Sequence, residues 1–458
     1  MNTTEIINLL NTNISDLEYT TDTDDLLVYA QDWSRFNQVN AAAILFPKSV
    51  KQVQSIIKLA NKIGFKIVPS GGRTGYSGGA VASDNEFVLS LDKMGNILNF
   101  NIADSQVTIQ AGVTTEQLHN FAIEQGLFYP VDFAASGSSQ IGGNIATNAG
   151  GIRVLRYGMT RNYVAGLKVV TATGEVLDLN QGLIKNATGY DLRHLMIGSE
   201  GTLGIVLEAT MQLIKPPVEQ TVMLWALPSL DSVMRVFTLA KNGLNLSAYE
   251  FFTDIALNYV CQHRKLHQPF ENSAPFYILC EFDRNEDAAM QVFEQGMEQN
   301  DIIDGIISQS LQQAQQIWQY REGISEAIAH FSPYKNDIAV KVSLVPEFMQ
   351  KLNLLVKQYY PHFELVWFGH IGDGNLHLNI IKPADMSIAD FKLECETVNQ
   401  HVYGLIKIMD GSISAEHGVG LIKQPYLGYS RSAEEIKLLK GIKQLFDPNN
   451  ILNPGKLL

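Results

Sequence analysis

The sequence predicts an α+β fold built from more than one domain, on three observations. The chain has 458 residues, of which 46% are hydrophobic and 18% charged. That is an ordinary globular composition with ample material for a core, and the length suggests about two or three domains. Its first part runs strand, helix, strand and then into glycine-rich loops. After Lys215-Pro216-Pro217 the glycines thin out and longer helices alternate with strands.

Residues 1–36 read as a polar helical cap, and 41–46 as an apolar strand closed by Pro47. Ser49 caps a helix whose apolar positions Val50, Val53, Ile56, Ile57 and Ala60 recur at helical spacing until Gly64 stops it. A strand over 66–69 leads into Ser70-Gly71-Gly72-Arg73-Thr74-Gly75-Tyr76-Ser77-Gly78-Gly79. Strands over 87–91 and 107–111, a helix over 115–125 and a second glycine-rich region over 135–158 follow. Strands over 167–171 and 176–179 flank Thr173-Gly174, and Gly198-Ser199-Glu200-Gly201-Thr202-Leu203-Gly204 feeds another. Thirteen of the 36 glycines lie between Gly137 and Gly204, which marks a stretch where backbone must approach something closely. Beyond the Pro-Pro boundary the pattern predicts helices over 229–241, 288–300 and 311–331 and a strand over 276–282.

Charge and cysteine usage narrow the function. Net charge is 34 − 47 = −13, so no basic excess exists to neutralise a nucleic-acid backbone. A small anionic substrate would need a local basic pocket. Cys261, Cys280 and Cys395 are scattered, which excludes an iron–sulfur cluster or a Cys-based zinc site within the chain and fits a reducing compartment. No basic residue precedes Arg35, while seven acidic ones do, contrary to a secretory or mitochondrial leader. The uncharged stretch 133–152 is full of Ser, Asn, Gln and Gly and would be costly in lipid. A cytoplasmic protein without a membrane span is expected.

Five segments could carry chemistry. The first glycine loop reads either as a run of tight turns or as an anion nest suited to a pyrophosphate. The second region, from Ser136 to Gly151, joins small residues to Ser, Thr and Asn donors without charge, which suits a flat, polar-edged ligand. In His370-Ile371-Gly372-Asp373-Gly374-Asn375-Leu376-His377-Leu378-Asn379, a four-residue loop over 372–375 would set His370 opposite His377, with Asn379 on the same face. The two imidazoles are then a shared metal site or two unrelated histidines. Ser414-Ala415-Glu416-His417-Gly418 adds a carboxylate, completing a His/His/Glu set of catalytic zinc type and leaving His417 as a base. Arg321 and Ser325, four apart on a helix, share a face that could grip a carboxylate or simply face solvent.

Together these segments resemble the flavin-dependent vanillyl-alcohol oxidase family, and within it the branch that holds D-2-hydroxyglutarate, D-lactate and glycolate dehydrogenases. The match runs from about residue 32 to 458. The resemblance implies FAD contacts at Pro69, Gly71, Gly72, Arg73, Thr74, Gly75, Ser77 and Gly78 in the first loop. Further contacts would come from Ser136, Gly137, Gly142, Gly143, Asn144, Ala146 and Thr147, and from Gly201, Gly204 and Ile205. It implies His370, His377 and Glu416 as metal ligands, with zinc the usual ion, and His417 as catalytic base. Arg321, Ser325, Lys335 and Asn379 would contact substrate. Ser325 departs from a family Thr and keeps the hydroxyl. Arg73 stands where covalent members carry a flavin-linked His, so FAD is expected to bind without a covalent link.

The implied architecture is a two-subdomain FAD-binding domain over 1–217, a substrate or cap domain with an antiparallel sheet over 218–420, and a helical segment over 421–458 returning to the FAD domain. The implied reaction is oxidation of a D-2-hydroxy acid to the 2-oxo acid, with the metal lowering the hydroxyl pKa and hydride passing to flavin N5. The basic residues favour D-2-hydroxyglutarate, then D-malate, over D-lactate or glycolate. An electron-transfer flavoprotein or a quinone chain would accept the electrons. A flavin-binding electron-relay subunit without its own catalysis is the reading of a different class. The oligomeric state is open, with a homodimer as one outcome.

Overall fold

The computed structural model of the chain describes residues 1–34 and 38–458. It divides into two units: residues 1–151, 158–216 and 416–458 form the first, and residues 152–157 and 217–415 the second.

The first unit holds two sheets. In one, β1 (Glu18–Thr20), β2 (Ala41–Phe46), β3 (Ile67–Ser70) and β4 (Glu86–Ser90) lie in the order β1-β2-β4-β3. β2, β4 and β3 are parallel, and β1 joins β2 antiparallel. Parallel strands need a crossover, which helix Val50–Ile63 supplies. Ser49 caps it by accepting the Gln52 N–H at 3.3 Å, Gly64 ends it at φ 85°, and Val53, Ile56, Ile57 and Ala60 are its buried face. The cap expected over 1–36 needs correction. Helices Thr3–Asn13 and Thr23–Tyr29 are separated by β1, which satisfies backbone groups at the edge of β2. Residues 35 and 36 of that expected cap lie outside the described residues. At the other edge Ile451 and Leu452 run beside β3, with the Ile67 N–H donating to the Ile451 carbonyl at 2.8 Å.

The other sheet has β5 (Ile97–Asn101), β6 (Gln106–Gln110), β7 (Val164–Thr171), β8 (Val176–Leu179) and β9 (Gly204–Gln212) in the order β5-β6-β9-β7-β8, antiparallel throughout.

The second unit is built on seven antiparallel strands: β10 (Gln220–Leu227), β11 (Leu246–Thr253), β12 (Phe276–Asp283), β13 (Asp304–Ile307), β14 (Tyr334–Ala339), β15 (Leu365–His370) and β16 (Asn375–Ile380). Their order is β13-β10-β12-β11-β15-β16-β14. One face carries Leu224, Ala248, Phe252, Tyr277, Leu279, Val366 and Phe368. It packs with Leu257 and Val260 of helix Asp254–Arg264, Ile317 and Trp318 of helix Leu311–Glu322, and Ala327 of helix Ile324–Ala329. The helix expected over 311–331 is thus two helices. They meet at Gly323, whose ψ of −12° is too flat for a continuous α-helix. A Cβ at Gly323 would stand 2.5 Å from Val260, so only glycine lets the chain pass so close. Among the described residues no helix is long and apolar enough to cross a membrane.

Candidate active site

In the first unit the glycine segments pack on one another. A Cβ on Gly72 would stand 2.1 Å from the Ser138 carbonyl, and one on Gly142 would stand 2.6 Å from Ala111 Cβ. Gly204 opens β9, where Ile205 pairs with Val170. The Glu200 N–H donates to the Ala146 carbonyl at 2.8 Å and the Gly198 N–H to Ile145 at 3.0 Å. Gly201, at φ 70°, lies against Pro69. The three segments named from sequence therefore meet in one unit, although their glycines differ in role. Gly72 and Gly142 are required by the chain's own packing, whereas among the described residues nothing beyond its chain neighbours and its own helix lies within 4 Å of where a Cβ on Gly143 would stand. Asn144 donates to Thr115 at 2.7 Å, Thr147 to the Gly143 carbonyl at 3.1 Å, and Ser77 to the His417 and Gly418 carbonyls at 2.9 Å. Those three side chains use their donors within the protein.

Arg73 takes a left-handed φ of 59° and turns back on its own loop. It donates to the Gly71 carbonyl at 2.8 Å, pairs with Asp92 at 3.3 Å, and its guanidinium carbon lies 4.5 Å from the Tyr29 ring centroid. Asp32 accepts the Gly78 N–H at 2.8 Å. Beside this loop, Ser70 Oγ and Gln140 Oε1 are buried without a hydrogen-bond partner among the described residues. Buried polar atoms are rarely left so. Open glycine backbone next to two such atoms fits a polar-edged cofactor.

His417 also belongs to the first unit. Its ring centroid lies 5.0 Å from that of Tyr76, and its Nε2 lies 3.5 Å from Glu416 Oε1. The turn that carries it is held from two sides. Ser77 takes its carbonyls, and the Glu200 carboxylate accepts the Val419 and Gly420 N–H groups at 2.7 Å each. Burial pushes the Glu200 carboxyl up, against those two hydrogen bonds. Burial, then the Glu416 charge, raises the Tyr76 phenol.

In the second unit the predicted hairpin forms with a corrected register. His370 pairs with Asn375 and Phe368 with His377, so the turn is Ile371-Gly372-Asp373-Gly374. The Asp373 carboxylate accepts the Asn375 N–H at 3.1 Å, and Gly374 sits at φ 85°. These features close the turn one residue earlier than the composition suggested. The two histidines are therefore diagonal rather than opposed. Both strands still present them on one face, because the slip preserves the period of two. The rings cross at 84° with centroids 5.3 Å apart.

That face also carries Asn379, and across β14 it carries Asp337 opposite His377 and Lys335 opposite Asn379. Lys335 is half-buried, and that burial lowers its ammonium to about 8. Arg321, 6% exposed, comes from the helix above. Ser325 falls beyond the Gly323 break and is half-buried.

Sequence reasoning missed two carboxylates here. Glu250, 1% exposed on β11, has its Oε1 at 2.8 Å from His370 Nδ1 and its Oε2 at 2.8 Å from Arg321 Nη2. The Arg321 contact is an ion pair off the line of a hydrogen bond, and Arg321 Nε is buried without a hydrogen-bond partner among the described residues. The guanidinium carbon also lies 4.9 Å from the Phe368 ring centroid. Asp337 has Oδ1 at 3.8 Å from His377 Nδ1 and accepts from Asn375 at 2.9 Å. Its Oδ2 accepts the Ala415 N–H at 3.1 Å, and Glu416 is the next residue in the chain. The available signal was an ionisable residue inside an apolar strand, as in Leu246–Thr253, where Glu250 alone carries charge.

The chain matches the FAD binding domain family over residues 41–180 and the family of FAD linked oxidases, C-terminal domain, over residues 216–457. It is 54% identical over 445 residues to a D-2-hydroxyglutarate dehydrogenase of Xanthomonas citri pv. viticola, covering 96% of this chain and 94% of that one. A Stutzerimonas stutzeri protein of the same name is 52% identical, covering 99% and 98%. The mitochondrial D-2-hydroxyglutarate dehydrogenase of Danio rerio is 36% identical, covering 96% and 82%. Among solved structures, p-cresol methylhydroxylase superposes with a TM-score of 0.77 at 14% identity, covering 99% of this chain and 96% of that one. Alkyldihydroxyacetonephosphate synthase superposes with a TM-score of 0.72 at 17% identity, covering 98% and 85%. These two likenesses concern the fold.

Proposed function

This chain belongs to the FAD-linked oxidases, and we propose that it oxidises D-2-hydroxyglutarate to 2-oxoglutarate with FAD bound without a covalent link. The observation that carries the reading is the likeness, over nearly the whole length, to bacterial D-2-hydroxyglutarate dehydrogenases. The glycine segments of 69–78, 136–147 and 201–205 are assigned to the cofactor. When bound, FAD supplies the two-electron acceptor for the C2 hydride.

We assign His370, His377 and Glu416 to a divalent ion, and zinc suits two imidazoles and a carboxylate. In support, each imidazole turns Nδ1 toward a buried carboxylate, the arrangement that orients a metal-bound histidine. A divalent ion held there would supply Lewis acidity that lowers the pKa of the substrate's hydroxyl. His417 takes the hydroxyl proton. Arg321 and Lys335 meet the carboxylates, with Ser325 and Asn379 adding hydrogen bonds. A buried Arg321 and a half-buried Lys335 in a chain of net charge −13 favour a substrate with a second carboxylate.

A second reading has its own observation. Glu250 offsets Arg321, which would leave Lys335 as the working cation and favour a monocarboxylate such as D-lactate. An electron-transfer flavoprotein or quinone chain then takes the electrons. The three free, buried cysteines support a cytoplasmic setting. The test is kcat/KM with an artificial acceptor for D-2-hydroxyglutarate, D-malate, D-lactate and glycolate. The highest value is expected for D-2-hydroxyglutarate. A higher value for D-lactate or glycolate selects the second reading, and no turnover with any of them leaves only an electron-relay role.

A further inference from the structure

We infer that Glu250 is a positioning residue that ties the orientation of His370 to that of Arg321, so that metal binding and recognition of the substrate's distal end share one carboxylate. The inference rests on the metal and substrate roles proposed above for those two residues. Glu250 is not among the residues proposed to hold the ion or meet the substrate.

Three features carry it. Glu250 is the sole charged residue of a strand whose other side chains pack in the core, and it is 1% exposed. Such a charge is stable only where partners take it up. Its two oxygens divide between two partners: Oε1 with His370 Nδ1 and Oε2 with Arg321 Nη2, both at 2.8 Å. Those partners stand on different elements, β15 and helix Leu311–Glu322, so one carboxylate fixes two side chains that the backbone positions separately.

The chemistry of the first contact is directional. With Nδ1 turned to the Glu250 carboxylate, Nε2 is the nitrogen left for an ion, and with Glu250 as the acceptor His370 would carry its proton on Nδ1. The same contact fixes the ring plane and makes the free nitrogen a better donor. At the second contact Arg321 Nη2 pairs with Glu250 Oε2 by charge, at 2.8 Å. Its buried Nε has no hydrogen-bond partner among the described residues, and the guanidinium is further located by the Phe368 ring beneath it, 4.9 Å to the centroid. Loss of the carboxylate would release both side chains at once.

The test is zinc affinity, measured by competition with a chromophoric chelator on the FAD-loaded protein, which needs no turnover. Glu250→Ala should weaken zinc about 10- to 100-fold, the loss usual when the carboxylate behind a metal-bound histidine is removed. Glu250→Gln keeps an oxygen that can accept from His370 Nδ1 and should retain part of the affinity that Ala loses. Because a lone Arg321 charge can unfold the unit, Glu250→Met with Arg321→Met removes both charges together, and it should show the same zinc loss as Glu250→Ala. Zinc affinity within twofold of wild type in the folded double variant would overturn the inference. Wild-type protein that takes up no stoichiometric zinc would instead overturn the metal assignment on which it rests.

Discussion

Replacing Arg321 with Met tests the substrate assignment, and the structure sets two separate magnitudes for it. Hydrogen bonds to charged groups contribute about 1.5–3 kcal/mol. Since 1.4 kcal/mol is tenfold, loss of the guanidinium's grip on a distal carboxylate should lower kcat/KM by roughly 10- to 150-fold. The second magnitude concerns the fold. Arg321 and Glu250 are 6% and 1% exposed and lie 2.8 Å apart. Removing Arg321 leaves the buried Glu250 carboxylate with His370 as its partner, so the loss should stay below the about 3–5 kcal/mol typical when a buried charge is left wholly unpaired. The melting temperature should therefore fall, and assays must be run well below it. The comparison is kcat/KM for D-2-hydroxyglutarate and for D-lactate in wild type and variant. D-lactate has no distal charge and should lose much less. An equal loss on both substrates would refute the assignment. It would mean that Arg321 acts only through Glu250 and His370 at the end of the molecule both substrates share.

Four further outcomes follow from named contacts. Burial lowers the Lys335 ammonium to about 8, so kcat/KM for the dicarboxylate should hold below that pH and fall above it as the free enzyme loses the charge. Lys335→Arg, which stays charged, should abolish that limb of the pH profile. Gly143→Ala meets none of the described residues beyond its own helix within 4 Å and adds a better helix former, so it should leave the apoprotein as stable or more so while weakening FAD; unchanged FAD affinity would remove Gly143 from the cofactor site. Acid or heat precipitation should release yellow FAD into the supernatant, because Arg73 offers no atom for a flavin bond; colour in the pellet would contradict this. His377→Ala should keep FAD, whose proposed residues lie in the other unit, and lose bound metal and nearly all turnover; retained stoichiometric metal would remove His377 from the ligand set.

The sequence was most legible where the signal is local. Ser49, the apolar spacing to Ala60 and Gly64 bracket a helix that forms as Val50–Ile63, because caps and a buried stripe act within a few residues. The hairpin was legible in face but not in register. Its turn is decided by the Asp373 carboxylate and the left-handed Gly374, details that a Gly-Asp-Gly-Asn string leaves open. The need for glycine at the 323 break was hidden because the Val260 side chain it passes lies on another helix. Glu250 was missed for a similar reason. It stands 71 residues before Arg321 and 120 before His370, and nothing near it in the chain signals either partner. Glu200 looked like one polar residue in a glycine run, yet its partners Val419 and Gly420 come from the far end of the chain.

The most direct test of the central claim is a single anaerobic turnover of the purified, FAD-loaded protein. On mixing with D-2-hydroxyglutarate and no electron acceptor, the flavin absorbance should bleach fully, with one 2-oxoglutarate formed per FAD, while L-2-hydroxyglutarate leaves the spectrum unchanged. A flavin that stays oxidised in the presence of saturating D-2-hydroxyglutarate, in protein with its metal loaded, would contradict the account.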